Sequence, residues 1–189
     1  MTTRRSLLLA LATASLTARA QPRTAAFTLF TFGDSILDCA HYNPHRVHPG
    51  QLIVRNDDAL FPEFRGKDLS ARGAARLEHR AVDGATVDGL PRQAAGLRKV
   101  EHAAALVTIG GNDLLRGLLR DDGRGVRTFS EAFDRWLRAL PIRPVLLGNV
   151  YDPTFGDDAR NFVGVDPRLA RTNLRRVNDA IAALAKRHG

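Results

Sequence analysis

Cysteine is almost absent from this sequence. The 189 residues include only Cys39, so an intramolecular disulfide is excluded. Cysteine and histidine do not follow the spacing of a zinc motif, and we expect neither a metal nor a cofactor. Beyond the amino terminus, no apolar run is long enough to cross a membrane. What remains is a chain with an ordinary 44% of hydrophobic residues, long enough for one domain with a substantial core.

Positive charge is plentiful, but it is not arranged for nucleic acid. The formal net charge is +8 and the pI is near 10.8. The basic residues are scattered along the chain, and aromatic residues do not alternate with them as a base-stacking surface requires. A basic balance of this kind is compatible with an anionic substrate or a membrane surface. We therefore expect no nucleic-acid partner, and the sequence does not indicate an oligomeric state.

The amino terminus is typical of an export signal. Arg4 and Arg5 precede an apolar segment over residues 6–17, and Ala18-Arg19-Ala20 then matches a small-x-small cleavage pattern. The arginine pair also fits a twin-arginine signal. We predict that residues 1–20 are a signal peptide and that residues 21–189 form one exported domain, in the periplasm or the medium of a bacterium.

Strand-like and helix-like segments alternate along the mature chain. Apolar runs predict four strands, over residues 27–32, 77–82, 104–109 and 144–150. Helices are predicted over residues 87–100, over 130–140 with Ser130 as its N-cap, and from Pro167 to the end. The buried face of the last helix is predicted to comprise Leu169, Leu174, Val177, Ile181 and Leu184. This alternation indicates an α/β fold, a three-layer α/β/α sandwich with a mostly parallel sheet.

Three short polar motifs follow the first three predicted strands. They are Gly33-Asp34-Ser35, Asp83-Gly84-Ala85-Thr86 and Gly110-Gly111-Asn112-Asp113. Ligands of parallel sheets bind beyond the carboxyl ends of the strands, where all three motifs lie. The first motif places a serine hydroxyl beside free backbone N–H groups, an arrangement suited to acyl transfer. The segment Asn149–Thr154 follows the fourth strand at the same edge and is a candidate wall of the pocket.

Each motif also has an explanation without catalysis. Ser35 is a plausible helix N-cap, and Gly84 and Gly110 are suited to loops with positive φ. Asn112 and Asp113 are suited to the start of a helix, and Asn149 and Asp152 to a turn before a proline. Taken together and in this order, the three motifs favour a catalytic site. The remaining histidines are interpreted as loop residues (His41, His45 and His48) or as structural residues (His79 and His102), not as metal ligands.

The three motifs, in their order and spacing, resemble the first three blocks of the SGNH/GDSL hydrolase family. This resemblance runs from about Phe27 to the end of the chain and implies a flavodoxin-like fold. It implies that Ser35 is the nucleophile of an esterase or lipase acting on small-molecule, lipid or glycan esters. The oxyanion hole implied by the family comprises the Ser35 and Gly84 N–H groups and the Asn112 amide. Further candidates for contact with the substrate are Asp34, Gly111, Asp113 and Tyr151.

The sequence departs from the family pattern at its last block. The family carries Asp-x-x-His near the carboxyl terminus, where it supplies the catalytic base and the carboxylate that orients it. Here only Asp38 and His41 have that spacing, and they lie too close to Ser35 in the sequence. Asp83 also stands where many members carry asparagine. We therefore expect the domain to be incomplete at its carboxyl terminus and impaired as an enzyme; the alternative is a non-catalytic module that binds an acyl group or a carbohydrate in the same crevice.

Overall fold

A parallel four-stranded sheet forms the centre of the molecule. The computed structural model describes residues 26–161 and 163–188; the predicted signal peptide lies outside them. The strands are β1 (Phe27–Gly33), β2 (Ala75–His79), β3 (Ala103–Thr108) and β4 (Val145–Gly148). Their order across the sheet is β2-β1-β3-β4, and every pair is parallel. The α/β class predicted from the sequence is therefore confirmed.

The predicted strand positions hold best for β1 and β3, which lie within one residue of the expected ranges. The second strand begins and ends earlier than expected. Its pairing with β1 nevertheless continues past His79, because the N–H groups of Arg80 and Val82 donate to Thr31 O and Gly33 O, respectively. The apolar run over residues 77–82 was thus a correct guide to the neighbour of β1 and an inexact guide to the strand limits.

Five α-helices surround the sheet in the described part of the chain. They are α1 (Pro49–Val54), α2 (Leu90–Gln93), α3 (Gly111–Leu115), α4 (Arg124–Ala139) and α5 (Pro167–His188). Short 3-10 turns connect several of them. No helix within the described ranges is long and apolar enough to cross a membrane.

Two helices differ from the sequence prediction. The helix expected over residues 87–100 is limited to a 3-10 turn and α2, and Gly96, in the left-handed region at φ +74°, turns the chain shortly afterwards. The helix expected from Ser130 begins at Arg124 instead. Its cap is the Asp121 carboxylate, which accepts hydrogen bonds from the N–H groups of Gly123, Gly125 and Val126.

The main core lies on one face of the sheet, between the strands and α2, α4 and α5. Phe30 and Phe32 project into it, and the Phe32 ring meets Trp136 of α4 edge-on at 5.3 Å. From α5, the predicted residues Val177, Ile181 and Leu184 are buried in this core, whereas Leu169 is 38% exposed. On the opposite face, α1 packs against the sheet through Gly50, where an added β-carbon would lie 2.9 Å from side-chain atoms of Thr31 and Leu77. Helices thus cover both faces.

Candidate active site

Ser35 lies directly beyond the carboxyl end of β1, in a tight turn. The Asp34 carbonyl accepts hydrogen bonds from the N–H groups of Leu37 and Asp38, so the chain turns over residues 34–38. No helix starts at Ser35, so the alternative explanation of this serine as a helix N-cap is wrong. The Ser35 N–H makes no hydrogen bond to any other residue that the structure describes, so it is available to a ligand.

The last residue of β1 must be glycine. Gly33 has φ +119°, a conformation that other residues rarely adopt. A β-carbon at this position would lie only 1.7 Å from Thr108 O of β3. This close approach of two backbones places the turn that carries Ser35 directly beside the end of β3.

Asp34 connects the first and third motifs. Its Oδ1 accepts hydrogen bonds from the Ile36 N–H at 3.2 Å and from the Thr108 hydroxyl at 3.1 Å. Its Oδ2 faces Gly111, where an added β-carbon would lie 3.7 Å away. Burial raises the pKa of the Asp34 carboxyl above its ordinary value, although the hydrogen bonds from Ile36 and Thr108 oppose the shift. Asp34 therefore acts as a buried link between the two loops.

A cavity of about 220 Å³ opens at this edge of the sheet. The candidate residues that line it are Asp34, Ser35, Gly111, Asn112 and Tyr151. Its apolar wall includes Leu114, Leu119, Val150 and Leu174. Residues from the loops after β1, β3 and β4 thus meet around one space, as the topology of a parallel sheet requires. Two other candidates, Gly84 and Asp113, do not line this cavity.

Gly84 and Asp113 belong instead to the contact between α3 and the loop after β2. Asn112 Nδ2 donates to Ala85 O at 3.0 Å, and Arg116 Nη2 donates to Gly84 O at 3.0 Å. The Asp113 carboxylate accepts from the Val87 N–H at 3.2 Å. Two side chains of α3, Asn112 and Asp113, and the residue that follows the helix, Arg116, therefore hold the segment that contains Gly84. The sequence motifs did not indicate Arg116, because it lies one turn beyond the last motif.

Burial is also the main influence on the Asp113 carboxyl. It raises the pKa of this group from 3.8 to about 6, against the effect of the hydrogen bond from Val87. Asp113 lies in the first turn of α3, whose N-cap is Gly110 at φ +115°. Asp113 is therefore a residue of a helix start, and Gly110 is a glycine in the left-handed region, as the explanations without catalysis predicted.

The histidines lie away from the cavity. None of the residues that line it in the described part of the chain is a histidine. His41 contacts Asp83, with its Nε2 at 3.1 Å from Oδ2, and the Tyr42 hydroxyl donates to the same oxygen at 2.6 Å. The hydrogen bond from Tyr42 has the largest effect on the pKa of Asp83. Together with the contact from His41, it holds this pKa below its ordinary value. His188, at the end of α5, contacts Asp134 of α4 at 2.7 Å.

Comparison with known proteins agrees with the fold and the motifs. The model of the GDSL-like Lipase/Acylhydrolase family matches residues 31–189. No curated protein matches the chain. Several solved structures match the chain. Their sequence identities to it are low, so the likeness is evidence for the fold alone.

Three of these solved structures illustrate the likeness. An α/β hydrolase, LAE5, from the metagenome of Lake Arreo has a TM-score of 0.55 at 21% identity, over 87% of this chain and 75% of its own. An acetyl xylan esterase from Geobacillus stearothermophilus has a TM-score of 0.53 at 17% identity, over 86% of this chain and 73% of its own. The psychrotrophic esterase EstA from Pseudoalteromonas sp. has a TM-score of 0.51 at 18% identity, over 85% of this chain and 73% of its own.

The parallel sheet with helices on both faces is the α/β fold of the SGNH/GDSL hydrolases. The chain belongs to the GDSL-like lipase/acylhydrolase family, whose model covers it from within β1 to its last residue. This membership puts the protein in the class of ester hydrolases.

Proposed function

We propose that this protein hydrolyses carboxylic esters through an acyl intermediate on Ser35. One observation carries the proposal: Ser35, in the turn after β1, and Asn112, in the first turn of α3 after β3, line the same largely apolar cavity. A hydroxyl nucleophile and a carboxamide donor beside one space are two of the components that acyl transfer requires; the third is a base.

The proposed reaction has two steps. Ser35 Oγ forms a bond to the acyl carbon while its proton is removed, and the alcohol then leaves with a proton. Water then forms a bond to the acyl carbon, the bond from that carbon to Ser35 Oγ breaks, and the carboxylic acid leaves as Oγ regains a proton. In each step the oxyanion accepts hydrogen bonds from the Ser35 N–H and from Asn112 Nδ2. One hydrogen of this amide is used by Ala85 O, which orients the group and leaves the second hydrogen for the substrate.

Gly84 is proposed as the third donor to the oxyanion. The hydrogen bonds from Arg116 and Asn112 hold its loop beside α3, and φ +73° at Gly84 sets the direction of the local peptide groups. Because Gly84 does not line the cavity, the loop has to move toward bound substrate for this N–H to take part. We assign Gly84 the least central role of the three donors.

The proton acceptor for Ser35 is proposed to come from an Asp-x-x-His segment in a longer form of the protein. The absence of histidine from the cavity lining, within the described residues, supports this proposal. Without a base, the oxyanion donors alone provide a small part of the catalytic effect. The same observation favours the alternative function, a module that binds an acyl group or a carbohydrate without cleaving it. Export of the domain, in either case, is proposed from the pattern of residues 1–20.

The apolar wall bears on the substrate. Leu114, Leu119, Val150 and Leu174 offer contacts to an acyl chain, whereas Tyr151 and the polar groups near Ser35 are placed to contact the ester group or its alcohol. We therefore propose that the cavity takes the acyl part of the ester and that the alcohol part lies toward solvent.

The test uses an aryl phosphonate, which is attacked by a serine nucleophile and stays bound to it. Because no histidine lines the cavity in the described residues, labelling is expected to be slow. After prolonged treatment, mass spectrometry is expected to place one adduct on Ser35, and Ser35→Ala is expected to take up none. Asn112→Ala is expected to slow the labelling about 10²-fold, the usual effect of losing one oxyanion donor. Thr128→Ala, on the surface of α4, is the matched control and is expected to label at the normal rate.

The outcomes separate the two functions. Adduct formation at Ser35, together with faster turnover of an aryl ester by a longer form ending in Asp-x-x-His, supports the enzyme. Reversible binding of short-chain acids or acetylated sugars with no adduct supports the binding module. Equal labelling of the original chain and of Ser35→Ala would exclude Ser35 as the nucleophile.

A further inference from the structure

We propose that Asp38, His48 and His79 form a binding site for one divalent transition-metal ion, with Zn²⁺ as the best fit. Asp38 lies in the turn after Ser35, His48 directly precedes α1, and His79 is the last residue of β2. The site lies outside the cavity described above. Its existence does not depend on the esterase function.

The positions of the donor atoms fit a small ion. Asp38 Oδ1 lies 3.4 Å from His79 Nε2 and 3.6 Å from His48 Nδ1. All three donors lie within 4.8 Å of one another. A tetrahedral Zn²⁺ with bonds of about 2.0–2.1 Å keeps its donors about 3.3–3.5 Å apart. The Asp38–His79 separation already matches, and the Asp38–His48 separation is slightly longer. Small rotations of the imidazole rings would bring all three donors to the spacing that the ion requires.

One donor atom has no other partner. His48 Nδ1 has no exposed surface and makes no hydrogen bond within the described residues. An uncompensated buried nitrogen is costly, and a bound ion would satisfy its lone pair. The His48 ring also stacks on the His79 ring, with their centroids 4.1 Å apart. The two imidazoles thus lie beside each other, and both are close to the Asp38 carboxylate.

The groups around the three ligands hold them in position for coordination. His79 Nδ1 lies 2.9 Å from the Thr31 hydroxyl, so in the tautomer that donates this proton to Thr31 the Nε2 lone pair faces Asp38. Asp38 Oδ2 accepts from the Asp83 N–H at 2.8 Å, which leaves Oδ1 for the ion. Metal-binding histidines and carboxylates usually have such supporting hydrogen bonds.

The donor set identifies the kind of ion. Two imidazoles and one carboxylate suit Zn²⁺ and its first-row neighbours, whereas Ca²⁺ and Mg²⁺ require oxygen ligands. Three protein ligands leave a fourth position for water. The ion would join the turn after Ser35, the start of α1 and the end of β2, so we expect it to stabilise the folded chain. The sequence did not indicate this site, because His79 is far from the other two ligands along the chain.

The experiment measures binding to the metal-free, tag-free chain. Titration with Zn²⁺ against a chromophoric chelator is expected to give one tight site per chain, and Co²⁺ is expected to give visible absorption bands. Substitutions His48→Gln, His79→Gln and Asp38→Asn are each expected to weaken Zn²⁺ affinity at least about tenfold. His45→Gln is the matched control, since this histidine lies in the same segment and outside the cluster; its affinity is expected to be unchanged.

A second measurement needs no variant to fold. The Tm of the original chain is expected to rise with Zn²⁺ concentration and to stay constant with Mg²⁺. Absence of a tight site, or equal loss of affinity in His45→Gln and the three ligand variants, would overturn the proposal. So would a Zn²⁺ site that persists in all three ligand variants. Each of these readouts is independent of ester hydrolysis.

Discussion

The side-chain amide of Gln93 forms two hydrogen bonds with the backbone of Gly33. Gln93 Oε1 accepts from the Gly33 N–H at 2.7 Å, and Gln93 Nε2 donates to Gly33 O at 2.8 Å. Both residues are buried. A side chain from α2 thus satisfies the final peptide groups of β1, two residues before the proposed nucleophile.

Loss of this amide is expected to destabilise the protein and to disturb the Ser35 turn. Gln93→Leu leaves the buried Gly33 N–H unpaired, so we expect the free energy of unfolding to fall by about 1–3 kcal/mol. Urea denaturation measures this change. Labelling of Ser35 by the phosphonate is expected to slow as well.

The matched control for Gln93→Leu is Asn173→Leu. Asn173 is also buried, and its amide donates to Leu119 O and Asp121 O, outside the Ser35 turn. A similar loss of stability with normal labelling is expected. If both variants label equally slowly, the effect arises from general destabilisation, and the specific role of Gln93 is wrong.

Gly33→Ala is expected to be far more damaging than an alanine at another glycine with positive φ. The new β-carbon would collide with Thr108 O, and we expect a loss of more than about 3 kcal/mol, or no soluble protein. Gly96→Ala is the comparison, since Gly96 has φ +74° and no atom within 4 Å of the added carbon. It is expected to cost about 1–2 kcal/mol, the strain of the left-handed conformation alone. Equal stability of the two variants would contradict the close approach of β1 and β3.

Asp113 is expected to make the protein less stable as the pH rises from about 4 to 6. Its pKa is near 3.8 when unfolded and about 6 when folded, so the folded state binds more protons in this window. The contribution is about 1–2 kcal/mol, after allowance for the partial exposure of the side chain.

Asp113→Asn tests this dependence. The amide oxygen retains an acceptor for the Val87 N–H and has no proton to exchange. Chemical denaturation at several pH values is expected to show a smaller decrease in stability between pH 4 and 6 for the variant. Parallel pH profiles for the two proteins would show that Asp113 does not titrate as proposed.

Arg116 is expected to influence the reaction through the loop that contains Gly84. Arg116→Ala removes the bond to Gly84 O. Because the arginine is exposed, we expect a change of less than about 0.5 kcal/mol in stability, together with several-fold slower phosphonate labelling of Ser35. Arg127→Ala, at an exposed position of α4, is the control and should change neither property. If Arg116→Ala is labelled at the normal rate, the loop that contains Gly84 has no role in the reaction.

The parallel sheet and the position of two motifs at one edge of it were predictable from the sequence. The apolar runs of β1 and β3 are nearly continuous, as in buried parallel strands, and their carboxyl ends necessarily share an edge. Ser35 and Asn112 follow these strands directly, so both were expected at the same edge of the sheet. That β1 and β3 are neighbours is seen only in the structure. The last helix was equally clear, because Pro167 starts it and Val177, Ile181 and Leu184 repeat at helical spacing.

Features that depend on distant partners were not predictable. Gln93 and Gly33 are 60 residues apart, and no local pattern connects them. The start of α4 depends on the Asp121 carboxylate, which lies before the amphipathic pattern begins. The Asp38, His48 and His79 cluster likewise combines a turn, a helix start and a strand end. Such contacts arise from tertiary packing, which periodicity within one segment does not reveal.

The neighbouring positions of β1 and β3 have a consequence for how the pocket can vary. Adjacent strands are about 4.8 Å apart in any sheet, so backbone hydrogen bonding sets the separation between the bases of the Ser35 and Asn112 loops. Substitutions in the surrounding helices can reshape the apolar wall while this spacing stays constant. Substrate preference and reactive geometry are therefore separable in this fold, and pocket variants with altered acyl selectivity should keep the same serine chemistry.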